Sequence, residues 1–120
     1  MIDPLDLCRI LEGGRFDLSS EKACQAEICA WLVSRLPPGI AVERERRLTP
    51  HDIPDFLIDG IAVEVKMNAA QPRAVVRQLT RYAEHPCVRA VILVSNRAIA
   101  LPRWIETTPM FCVSLGRAWL

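Results

Sequence analysis

The chain has 120 residues, 51% hydrophobic and 24% charged, with a formal net charge of +1. That is material for a single domain, 1–120, able to bury a core without a disulfide or metal staple and too apolar for a disordered chain. No apolar run approaches the roughly 20 residues that span a bilayer, so no membrane partner is expected. The acidic opening Met1-Ile2-Asp3-Pro4-Leu5-Asp6 differs from the basic start of a signal peptide, so the expected location is cytoplasmic. The five cysteines, Cys8, Cys24, Cys29, Cys87 and Cys112, are odd in number and contain no Cys-x-x-Cys pair. They read as buried small hydrophobes in a reducing cytoplasm rather than a disulfide or metal framework.

In chain order, Asp3 to Leu11 reads as a short helix, with Asp3 as cap, Pro4 in the first position and Gly13-Gly14 as the stop. A second helix is expected from about Ser20 to Leu36, capped by Ser20 and ended by Pro37-Pro38-Gly39. Its apolar stripe is Cys24, Ile28, Trp31 and Leu32. Glu21 reads there as a charge favourable to the helix N-terminus. Ile40 to Leu48 alternates and predicts a strand. Asp55 to Ile58, the turn Asp59-Gly60 and Ile61 to Met67 predict a hairpin. On its second strand Ile61, Val63 and Val65 face one way, and Ala62, Glu64 and Lys66 the other. Pro72 opens a helix to Glu84, Ala90 to Ser95 is a strand buried on both faces, and Phe111 to Leu115 is a last strand. Arg97 to Ile105 has no clear period. Trp31 and Trp104 read as packing residues, and Trp119 as a candidate subunit contact. The α-α-β-β-β-α-β order predicts an α/β fold with a mixed central sheet flanked by helices on both faces.

Chemistry concentrates where the hairpin brings Asp55 near Glu64 and Lys66. A carboxylate and an amine on the covered face of a central strand are costly unless paired or bound to metal. Two oxygen donors and a cation suit Mg²⁺, which takes few carboxylates, polarises water and stabilises a phosphoryl oxygen. The plain structural alternative is a surface hairpin with a Glu64–Lys66 ion pair.

Pro54-Asp55 followed by Glu64-x-Lys66 resembles the signature of the PD-(D/E)XK nuclease superfamily, the restriction-endonuclease-like fold. Gln78-Leu79-Thr80-Arg81-Tyr82 is similar to the Gln-x-x-x-Tyr element of its RecB-type branch, and Glu27 falls in a helix where many members carry an acid. The resemblance covers roughly residues 20 to 95 and implies an α-β-β-β-α-β core. It implies Asp55 and Glu64 as metal carboxylates, the Val65 carbonyl as a further ligand and Glu27 as a contributor, directly or through water. Lys66 would position or activate the attacking water, and Gln78 and Tyr82 would stabilise the site or touch the substrate backbone.

Arg73, Arg77 and Arg81 form a stripe beside Gln78 and Tyr82, which fits phosphate contact. Residues 1–66 carry net −4 and residues 67–104 net +5, so the small overall charge hides a basic half. Glu43 and Glu45 are expected to pair with Arg44, Arg46 and Arg47 or to face solvent, and a second-metal role for one is conceivable. No phosphate-cradling glycine loop is present, so no nucleotide cofactor is expected.

The resemblance therefore implies a Mg²⁺-dependent deoxyribonuclease, with Mn²⁺ able to substitute. Its substrate would be DNA chosen by structure, branched or Holliday-junction DNA first, as in small junction resolvases of recombination or phage nucleases. A homodimer fits paired cuts. The alternatives are a catalytically silent DNA-binding module of the same fold, or a nicking or exonuclease component of a phage or defence system.

Overall fold

The computed structural model describes residues 1–68 and 71–116. Within them lie three helices and a six-stranded mixed sheet in the order β1-β2-β3-β4-β6-β5. Helix α1 spans Pro4–Glu12 and α2 Glu21–Arg35. The strands are β1 Glu43–Arg44, β2 Phe56–Ile58 and β3 Ile61–Lys66. Helix α3, Pro72–Glu84, crosses to β4, Ala90–Ser95, and then come β5, Trp104–Ile105, and β6, Thr108–Ser114. Strands β1, β2 and β3 are antiparallel neighbours, whereas β3, β4 and β6 run parallel.

Local signals account for most of these limits. The Asp3 carboxylate accepts from the Leu5 N–H and the Ser20 hydroxyl from the Ala23 N–H, fixing where α1 and α2 start. Asp59 and Gly60 have φ of 51° and 80°, the left-handed pair that a two-residue hairpin with the strand twist demands. Along β3 the alternation splits two cores. Ile61, Val63 and Val65 join Leu7, Leu11, Ile28 and Leu32 under α1 and α2. Ala62 joins Val75, Leu79 and Tyr82 under α3. The sheet thus lies between helices on both faces. Among the described residues no helix is long and apolar enough to cross a membrane.

Four expectations are corrected. The strand predicted over 40–48 shrinks to Glu43–Arg44, because Glu45 adopts φ 51° and turns the chain off the edge of the sheet. Arg46 then folds back to pair with Glu43 at 2.9 Å. The last strand starts three residues earlier than expected, at Thr108. Pairing with β4 begins only at Met110, so the missing N–H of Pro109 costs that ladder nothing. Trp104 is not a packing residue: it sits on the short edge strand β5, 59% exposed. Trp31 does pack, donating from Nε1 to the Ile10 carbonyl at 2.7 Å. Among the cysteines only Cys8 and Cys24 are buried, while Cys87 and Cys112 are exposed. Burial pushes the Cys8 and Cys24 thiols up to about 12 and about 11, so both stay protonated. Trp119 and its expected subunit contact lie outside the described residues.

The far end of the sheet is fastened by Arg89. Its Nε donates to the Asp59 carbonyl at 2.7 Å, and its Nη2 to the Ile2 carbonyl at 2.6 Å and to Asp59 Oδ2 at 3.1 Å. The Ile2 N–H reaches the same carboxylate at 2.8 Å. One guanidinium therefore joins the N-terminus, the hairpin tip and the start of β4. Arg89→Met is expected to destabilise the protein by about 2–3 kcal/mol, read as a lower urea midpoint with unchanged slope.

Candidate active site

The β2–β3 register puts Phe56 opposite Val63, so Asp55 falls opposite Glu64 and Pro54 opposite Val65. Ordinary antiparallel pairing would have residue 54 donate its N–H to the Val65 carbonyl. A proline has no N–H to give. The ladder stops there, and side chains replace it. The Val65 N–H donates to Asp55 Oδ2 at 2.7 Å, and the Asp55 N–H donates to Glu64 Oε1 at 3.1 Å. The Val65 carbonyl is left without a donor from β2. The same proline therefore places one carboxylate on the strand end and frees one main-chain oxygen beside it.

Glu64 is 3% exposed, facing α3 from the middle of the sheet. The Lys66 Nζ stands 3.4 Å from Glu64 Oε2. The Tyr82 hydroxyl lies 3.1 Å from Glu64 Oε1 and 3.3 Å from the Ile53 carbonyl, and Gln78 Nε2 donates to the Tyr82 oxygen at 2.9 Å. Four residues apart on α3, Gln78 and Tyr82 share one face and form a relay beneath Glu64. Desolvation, then the Asp55 charge, pushes the Glu64 carboxyl up to about 7, and Lys66 and the hydrogen bonds only partly oppose this. Desolvation also raises Asp55, with Glu21 and Glu45 adding to the effect and the Val65 N–H and Lys66 countering it. Burial and then Glu64 drive the Tyr82 phenol far above its ordinary value, so it stays a donor.

The residues expected at the site divide cleanly. Asp55, Glu64, Val65, Lys66, Gln78 and Tyr82 are brought together. Glu27 is not: it is exposed, and its Oε2 accepts from the Asp17 N–H at 3.0 Å, bracing the loop before α2. The α2 carboxylate that does reach the site is Glu21, whose Oε1 accepts from the Met67 N–H at 3.0 Å. Six residues separate the two acids, about 240° around the helix and about 9 Å along it, so only one can face β3. Glu21 sits in the first helical turn, where its charge had a sufficient local explanation, and no local signal separates the two roles.

Tyr82 is fully buried, so its contact is with Glu64 rather than with any substrate. Arg73 and Arg77 are exposed on α3 as expected. Arg81 is committed to Asp52, Nε to Oδ1 at 2.8 Å. Beyond Lys66, Asn68 donates its N–H to Asn96 Oδ1 and Asn96 Nδ2 donates to Asn68 Oδ1, both at 2.9 Å. Glu21 and Asn96 thus hold the main chain that follows Lys66.

Two open clefts flank the group. One, of about 440 Å³, is lined by Glu45, Arg47, Ile53 and Asp55, and the other, of about 310 Å³, has Glu21, Lys66, Gln71 and Gln78 among its walls. Among the described residues no three His, Cys, Asp or Glu side chains form a metal-holding cluster. The donors present are two carboxylates and one free carbonyl, all hard oxygens, which fit a cation such as Mg²⁺ that retains several waters. No family model matches the chain, and neither a curated protein nor a solved structure matches it.

The raised Glu64 carboxyl has a consequence for the metal-free protein. Below pH 4.5 both states are protonated and the shift is without effect. As pH rises towards 7 only the unfolded carboxyl ionises, so stability falls, and above 7 the full loss, on the order of 3 kcal/mol, persists. Glu64→Gln is therefore expected to raise the melting temperature in EDTA at pH 8 and to change it little at pH 4. Equal effects at both pH values would show that Glu64 ionises normally.

Proposed function

We propose that this chain is a metal-dependent DNA endonuclease of the restriction-endonuclease-like fold. The observation that carries the reading is the convergence of Asp55, Glu64 and Lys66 at the broken end of the β2–β3 ladder, with a carbonyl freed by Pro54. The proposal draws further support from the α3 relay under Glu64 and from the exposed arginines on that helix.

In this reading Asp55, Glu64 and the Val65 carbonyl hold Mg²⁺ or Mn²⁺. When bound, the metal supplies an activated water and charge stabilisation for the attacked phosphate. Lys66 orients that water and offsets charge developing on the phosphoryl oxygens. Tyr82, fixed by Gln78, keeps one Glu64 oxygen occupied and so sets the orientation of the other. Glu21 and Asn96 hold the backbone from which Lys66 projects. Water would be the nucleophile: its oxygen bonds to phosphorus as the bond from phosphorus to one sugar oxygen breaks, its proton passing to solvent and the leaving sugar oxygen taking one from solvent. DNA shape, branched or junction DNA first, is the proposed basis of selection, with a homodimer providing paired cuts.

The test is cleavage of labelled duplex, single-stranded, flap and four-way-junction DNA with Mg²⁺ or Mn²⁺. Lys66→Ala and Asp55→Asn are each expected to lower the rate about 10²-fold or more, and EDTA to abolish it. Glu27→Ala is expected to cut at the parent rate. DNA bound but never cut by the parent would favour a catalytically silent module, and a parent that showed no binding and no cutting would overturn the proposal.

A further inference from the structure

The arginines sort by what they already hold. Arg81 pairs with Asp52, Arg89 with Asp59 and Arg46 with Glu43, while Arg44 lies over the Phe56 ring, 5.8 Å from its centroid. Arg47 differs from all of these. It is exposed, has no ion-pair partner among the described residues, and lines the same cleft as Asp55.

The loop that carries Arg47 is tightly built. The Leu48 N–H donates to the Asp52 carbonyl at 3.0 Å. The Thr49 hydroxyl accepts from the His51 and Asp52 N–H groups and donates to Asp52 Oδ2 at 3.1 Å. The remaining Asp52 oxygen takes Arg81 on α3. On the other side of Arg47, the Glu45 N–H donates to the Asp55 carbonyl at 3.1 Å. Arg47 is thus held between two anchored points, next to the carboxylate end of the site.

We infer that Arg47 binds a phosphate of the DNA strand adjacent to the one cleaved, and that Arg81 serves to pin the Arg47 loop. The inference rests on the nuclease reading and names the cation of the substrate cleft. Electrostatics supports the assignment. The cleft wall carries Glu45 and Asp55, so an incoming polyanion meets two acids there, and Arg47 is the cation in that wall. A guanidinium offers two parallel donors to a phosphate, and a pre-held loop loses little freedom on binding. Arg81 cannot add to the attraction while Asp52 neutralises it 2.8 Å away.

The experiment measures binding of labelled duplex and four-way-junction DNA from about 50 to about 200 mM salt. A Lys66→Ala background keeps the DNA intact, and circular dichroism melts check folding. Arg47→Ala is expected to bind about tenfold more weakly, with the log–log salt slope reduced by about 0.9, the value for one lost phosphate contact. Arg47→Lys should restore the slope. The charge-neutral pair Asp52→Asn with Arg81→Gln removes the pin but no phosphate contact, so it should bind a few-fold more weakly with the slope at its parent value. Parent-like binding by Arg47→Ala, or a slope lost in the charge-neutral pair, would overturn the assignment. Metal-dependent cutting by the Lys66 protein would in that case keep the nuclease reading. No binding by the Lys66→Ala parent and no cutting by the Lys66 protein would remove both.

Discussion

The site depends on a hydrogen bond that cannot form. Pro54 ends the β2–β3 ladder, and Asp55, Glu64 and Lys66 gather at that end. A residue with an N–H there would close the pair with Val65 and extend the hairpin as an ordinary two-stranded ribbon. Proline instead leaves a carbonyl open and makes the next residue's carboxylate do part of the ladder's work, accepting from the Val65 N–H. Main-chain geometry positions Asp55 and Glu64, so their spacing does not rest on flexible side chains alone.

The same strand end concentrates charge where a sheet normally buries hydrocarbon. Glu64 is nearly inaccessible, next to another carboxylate, with Lys66 as a nearby cation. Three fixed donors, the Asp55 N–H, the Tyr82 hydroxyl and the Lys66 ammonium, surround it. They lessen the desolvation penalty without removing it, which is why the carboxyl titrates near neutrality. Site geometry of this kind runs against stability. The cores above and below are built to carry it. Ile61, Val63 and Val65 bury their side chains on the opposite face of the very strand that bears Glu64.

Much of this was legible in the chain. Asp59-Gly60 marked the hairpin turn, the alternation along β3 put Glu64 and Lys66 on one shared face, and the four-residue spacing of Gln78 and Tyr82 put both on one side of α3. These are local relations, fixed by periods of 2 and 3.6. Relations that depend on tertiary placement were misread. Glu27 and Glu21 are both helical acids, and which one faces β3 follows from how α2 rotates onto the sheet, a property of its whole apolar stripe. Arg81 fits the stripe of α3 as well as Arg73 and Arg77 do, yet Asp52, twenty-nine residues earlier, claims it. The overlong first strand failed for another reason: an edge strand with one neighbour has little to hold its alternation once Glu45 turns left-handed.

The two misread residues, Glu27 and Arg81, share a cause that bears on how the clefts are built. In each, an exposed-looking charge is spent on bracing a loop, Glu27 on the segment before α2 and Arg81 on the segment before β2. The residues left to face the two clefts are Glu21, in the first turn of α2, and Arg47, in the loop after β1. An element's interior must satisfy its own packing pattern. Its ends carry unpaired backbone groups and few packing constraints, and can be turned to a ligand at small cost. Glu21 does both at once. It caps the Met67 N–H after Lys66 and lends a wall to the second cleft. The site is thus a junction of four ends, those of α2, β1, β2 and β3, with α3 beneath supplying the fixed relay that keeps Glu64 in place.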